Sequence, residues 1–146
     1  MPSIQIYSNF ADVALAAYGQ NLSTNVPNVE KYRADGMARP QAEAFEAKWQ
    51  VLGQAEIGNG FSAALFQNRF SGEKALGIRG TDAWGIDYLY NVVAIGLIGN
   101  PQGTLQYNSL DAFYRQMVST GKLGPSEQLT VSGHSLGGFL AQAFAA

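Results

Sequence analysis

Residues 128–146 read QLTVSGHSLGGFLAQAFAA, and the fold is decided by how that stretch is parsed. QLTVS at 128–132 reads as a strand, and FLAQAFAA is a run of good helix formers with no stop signal. Between them lies Gly133-His134-Ser135-Leu136-Gly137. A strand that passes through G-x-S-x-G straight into a helix is the context in which such a turn presents a nucleophilic serine.

The physics of that turn is local. The serine is forced into a strained backbone conformation that lifts its hydroxyl clear, while Gly133 and Gly137 keep side chains out of the strand-helix crossing. The helix beginning at Ser135 brings a positive dipole end and free N–H groups, including that of Leu136, to where an oxyanion would form. The bland alternative is a glycine-rich turn between a buried strand and a helix. His134 is the single histidine of the chain, but adjacent side chains at such a turn point apart, so its ring is not placed to deprotonate Ser135. Eleven residues follow Ser135, and they contain neither an acid nor a histidine. The base is therefore expected in sequence beyond residue 146.

Upstream, Phe10, Val13, Ala14, Ala17 and Tyr18 follow i, i+3, i+4, i+7, i+8 spacing, which predicts a helix over 9–20 ending near Gly19 and Asn21. NLSTNVPNVEKYRADGMARP at 21–40 reads as a loop. Pro40 suits a first helical turn, and Phe45, Trp49 and Leu52 recur as one face of a second helix. VLGQAEI and FSAALFQ flank Gly58-Asn59-Gly60, the pattern of a β-hairpin. After the turn NRFSGE comes a third strand, KALGIR, with Leu76 and Ile78 on one face, stopping at Gly80-Thr81-Asp82. Residues 83–100 are apolar with few polar breaks and fit a helix, a lid or a buried connector. Leu110, Phe113, Tyr114, Met117 and Val118 predict a helix over 105–120 closing near Gly121. The expected class is α/β: N-terminal helices, a β-hairpin, and a strand-turn-helix at the C-terminus of one domain, residues 1–146, whose sheet is incomplete.

GIRGTD at 77–82, DYLYNV at 87–92 and VSGHSLGG at 131–138, in that order with a helix between, resemble the lipase class 3 (fungal-lipase-like) family of α/β-hydrolases. The resemblance spans about residues 74–146, with further support from the helix ending in AAYG. It implies a serine ester hydrolase, a lipase or esterase acting on lipid acyl esters. Ser135 would be nucleophile, Thr81 and Leu136 the oxyanion donors, and a downstream Asp and His the rest of the triad. It also implies that Asp87 orders the oxyanion loop, a solvated aspartate being the alternative, and that Trp84, Ile86 and Leu89 belong to a lid. Arg79 and Asp82 are candidates to pair across the same loop. Acyl transfer or phospholipase chemistry uses the same site, and a non-catalytic binding module on this fold is the rival of another class. A class 3 type chain without a secretory leader is similar to bacterial lipases exported through a C-terminal signal, which would place it outside the cell; cytoplasmic residence is the alternative.

Composition narrows the remaining choices. A hydrophobic fraction of 47% with only 14% charged residues belongs to a folded chain of one core. Nine scattered basic residues against eleven acidic ones give no footprint for nucleic acid. There is no cysteine, and one histidine among scattered carboxylates forms no ligand cluster, so neither a metal nor another cofactor is expected. MPSIQIYSNF has no basic start ahead of an apolar run, and VVAIGLIG at 92–99 is too short to span a bilayer.

Overall fold

The computed structural model describes residues 4–57, 61–79 and 105–133. Among the described residues, four helices and four strands follow in order: α1 (Ile4–Ala16), α2 (Val29–Ala34), α3 (Arg39–Lys48), β1 (Trp49–Ile57), β2 (Phe61–Asn68), β3 (Lys74–Ile78), α4 (Leu105–Ser119) and β4 (Leu129–Gly133). The strands form one sheet in the order β1-β2-β3-β4. The first three run antiparallel, with Ile57 opposite Phe61 across the predicted hairpin, and β4 runs parallel to β3. A parallel neighbour cannot be reached by a tight turn. The long connection from β3 to β4 accordingly contains α4.

Side-chain alternation divides the core into two layers, one on each face of the sheet. Ala63, Leu65, Leu76 and Ile78 point to one side, where α4 supplies Leu110, Phe113 and Met117, and Leu123 closes the end. Val51, Ala64, Phe66 and Ala75 point to the other, against Val13, Ala16, Tyr32, Ala42 and Phe45 from the N-terminal helices and Met37 from the turn between α2 and α3. Because β3 is covered on both faces, it reads Ala-Leu-Gly-Ile with no polar alternation. The result is a three-layer α/β/α arrangement.

Three elements depart from the periodicity reading. The first helix occupies Ile4–Ala16 rather than 9–20; Ala17, Tyr18 and Gly19 form turns that still place Ala17 in the core. Within the stretch read as loop, Val29–Ala34 forms α2, a helix too short to announce itself by periodicity. It is held by Tyr32, which is buried with its ring edge-on to Phe45 at 5.1 Å. The second helix ends at Lys48, so Trp49 and Leu52 lie in β1. Phe45 and Trp49 nevertheless stack, at 6.2 Å and 22°. The last helical turn and the first strand residue present both rings to one core, which mimics i, i+4 spacing across the junction. Leu52 is the extra residue of a β-bulge between Val51 and Gly53 and packs on the opposite, α4 side.

α4 closes as expected, and the reason is visible. Gly121 has φ of 78°, Lys122 N–H donates to the Met117 carbonyl at 2.9 Å, and Gly121 N–H donates to Val118 at 3.1 Å. Those two bonds define a Schellman ending, with Leu123 tucked into the core beside it. At the other end of the fold, Gln54 ties the exit of α1 to β1. Its amide donates to the Gly19 carbonyl and accepts from Leu22 N–H, both at 2.7 Å.

Tyr32 gives a stability test. Its hydroxyl is buried without a hydrogen-bond partner among the described residues, so Tyr32→Phe should change unfolding free energy by less than about 1 kcal/mol. Tyr32→Ala, which empties the aromatic cluster, should cost about 3–5 kcal/mol. Burial, and after it the Glu46 carboxylate, raises the Tyr32 pKa well above the ordinary tyrosine range. The folded state therefore holds the proton more tightly, and this contribution is complete below pH about 10 and lost as pH rises further. Urea melts at neutral and strongly alkaline pH should show that loss in the wild type and a smaller one in Tyr32→Phe.

Candidate functional site

The parallel pair β3 and β4 is in register from Lys74 opposite Leu129 to Ile78 opposite Gly133. Both strands therefore end on the same rung, pointing the same way. At their N-terminal ends the pair is clamped by Glu127. Its Oε2 accepts from Lys74 Nζ at 2.8 Å and from Gly124 N–H at 2.9 Å. The Gly124 hydrogen bond, followed by that from Lys74, holds the Glu127 pKa below the ordinary carboxylate value. This clamp is present at neutral pH and is lost as pH falls through the lowered pKa.

At the C-terminal ends, α1 crosses the pair closely. Gly77 sits opposite Ser132 one rung before the end. A Cβ at Gly77 would lie 2.8 Å from the Val13 carbonyl and 2.9 Å from the Ala17 Cβ, so only glycine lets α1 approach. Ser132 Oγ donates to the Phe10 carbonyl of α1 at 2.8 Å. Beyond β3, Arg79 extends the ladder by donating its N–H to the Ser62 carbonyl at 2.9 Å, and its guanidinium lies 5.7 Å from the centre of the Tyr18 ring. Beside α1 and the end of β4 is a cavity of about 550 Å³ lined by Ala11, Ala14, Leu15, Tyr18, Asp35, Ser132 and Gly133.

Of the residues singled out in the sequence, Gly133 is placed at the last position of β4, where the turn should begin. His134, Ser135, Leu136 and Gly137 lie outside the described residues, as do Thr81, Asp82, Trp84, Ile86, Asp87 and Leu89. Arg79, considered as a partner for Asp82, is half-buried over Tyr18. Sequence reading missed Ser132 and the α1 carbonyl it meets. A lone glycine in a buried strand was the available signal for Gly77. Among the described residues no group of three or more His, Cys, Asp or Glu could hold a metal ion, and no helix is long and apolar enough to cross a membrane.

No family model and no curated protein matches the sequence. Among solved structures, the chain is similar to the Lip2 lipase of Yarrowia lipolytica, with a TM-score of 0.61 and 18% identity over 97% of this chain and 53% of the lipase. The nonglycosylated form of the same yeast lipase gives a TM-score of 0.59 and 17% identity, covering 96% of this chain and 52% of the other. The chain thus spans about half the length of the lipases it matches. The mixed four-stranded sheet with helices on both faces is a partial α/β-hydrolase fold.

Proposed function

We propose that this chain carries the nucleophile and oxyanion half of a serine ester hydrolase of the lipase or esterase type. The observation that carries the reading is the shared last rung, Ile78 opposite Gly133, in parallel strands. Gly80-Thr81-Asp82 follows one strand and His134-Ser135-Leu136 the other. Neighbouring parallel strands are about 4.8 Å apart. Ser135 is two residues beyond its strand end and Thr81 three beyond its own, so at about 3.3–3.6 Å per residue covalent reach alone keeps them in one neighbourhood. The likeness in fold to a lipase supports the same assignment.

In this reading Ser135 attacks the acyl carbonyl and forms the acyl-enzyme, while the N–H groups of Leu136 and Thr81 receive the developing oxyanion. A histidine and an acid outside residues 1–146 take the serine proton, return it to the leaving alcohol and activate the deacylating water. The substrate is a lipid or other acyl ester. A fluorophosphonate probe on the full-length polypeptide should label one site in proportion to protein, and peptide mapping should place the adduct on Ser135. Labelling elsewhere, or none together with no ester turnover, would favour a non-catalytic module on the same fold.

A further inference from the structure

The Gly77–Ser132 rung lies one residue before the strand ends from which both loops of the proposed site depart, and two independent contacts with α1 meet there. On β3, Gly77 lets the α1 backbone approach to a distance that no Cβ would allow, with the Val13 carbonyl at 2.8 Å from that virtual atom. On β4, Ser132 hydrogen-bonds the Phe10 carbonyl at 2.8 Å, from the opposite strand of the same rung. Its neighbour Val131 packs towards α4, so Ser132 is the β4 residue that faces α1 here. α1 is itself fixed at its exit, because Gln54 holds Gly19 and Leu22.

We infer that Ser132 and Gly77 are positioning residues, which use α1 as a straightedge to set the separation and level of the two strand ends from which Ser135 and Thr81 follow. This rests on the reading of Ser135 as nucleophile. The physical need is clear: a nucleophile and its oxyanion donors must converge on one carbonyl. A misplacement of about 1 Å costs about a hundredfold in rate while binding and folding persist. A free strand end could slide along or tilt from its neighbour by that much. The hydroxyl of Ser132 opposes sliding of β4, and the backbone contact at Gly77 opposes lifting of β3. The device acts through backbone placement, so it touches neither substrate nor the reacting atoms.

The test uses the full-length polypeptide, a short-chain p-nitrophenyl ester and a fluorophosphonate, with Ser132→Ala, Ser132→Thr, Gly77→Ala and Ser135→Ala compared. Ser132→Ala should lower kcat and the phosphonate inactivation rate about 10- to 100-fold, with KM held within about twofold. Ser132→Thr, which keeps a hydroxyl at that position, should recover most of both rates. Gly77→Ala should lower the same two rates from the other strand. Active-site titration separates positioning from folding. If the titrated sites of Ser132→Ala and Gly77→Ala turn over at the wild-type rate, or if threonine fails to restore what alanine loses, the inference is overturned. Ser135→Ala discriminates the levels: retained turnover in that variant, or no turnover in the wild type, removes the underlying reading and this inference with it. An inactive Ser135→Ala beside a fully active Ser132→Ala removes the positioning role alone.

Discussion

Replacing Ser135 with alanine in the full-length polypeptide is expected to lower kcat about a million-fold, the loss generally seen when a nucleophile is removed from an intact triad. No other single change proposed for this protein should cost as much, because the remaining groups cannot form an acyl-enzyme without it. The fold should be indifferent. Among the described residues, the two cores draw on positions from Val13 to Val131, on the two faces of the sheet. Ester hydrolysis measured beside thermal unfolding separates the two: turnover lost, melting temperature kept. Thr81→Val keeps the backbone N–H and removes only the side-chain hydroxyl, so it should cost less than the about hundred- to thousand-fold loss that follows removal of a whole oxyanion donor. Retention of most activity by Ser135→Ala would show that the serine at 135 is not the nucleophile.

Much of what frames that serine was legible from residue order because it depends on short-range rules. The hairpin of β1 and β2 follows from two apolar runs around Gly-Asn-Gly, and β3 from a short apolar run that ends in a turn. The end of α4 follows from Gly121, whose left-handed backbone closes the helix. What was not legible depends on contacts made across the chain. α2 exists because Tyr32 finds Phe45, and six residues carry too little periodicity to foretell that. Trp49 was misread as helical because its ring stacks on Phe45 from the first residue of a strand. A bond between Ser132 and the Phe10 carbonyl joins positions 122 apart, and a carbonyl leaves no mark on the sequence at all. The candidate site was readable as motifs for a further reason: G-x-S-x-G and R-G-T-D are local solutions to backbone problems. The contacts of Gly77 and Ser132 with α1, proposed to align them, are tertiary.

Residues 1–146 expressed alone are expected to show no measurable hydrolysis of short-chain esters and no appreciable reaction with a fluorophosphonate. Ser135 needs a base to lose its proton at neutral pH, and no acid or histidine follows it in this stretch. The adjacent His134 is not expected to serve as that base, because consecutive side chains at such a turn point apart. Oxyanion donors and binding alone leave about a thousand- to ten-thousand-fold acceleration over water, which is far below a working esterase. The described sheet bears on stability as well. β3 is almost wholly buried from Ala75 to Ile78, whereas every residue of β4 is only half-buried, and β4 is an edge of the four-strand order. Among the described residues no strand pairs with the outer side of β4, and such an edge above Leu129 and Val131 invites pairing with a second copy. Size-exclusion chromatography of the isolated 146 residues should therefore show concentration-dependent self-association, accompanied by an inert serine. Monodisperse monomer that turns over ester and takes up one phosphonate at Ser135 would overturn both expectations and locate the base within the residues at hand.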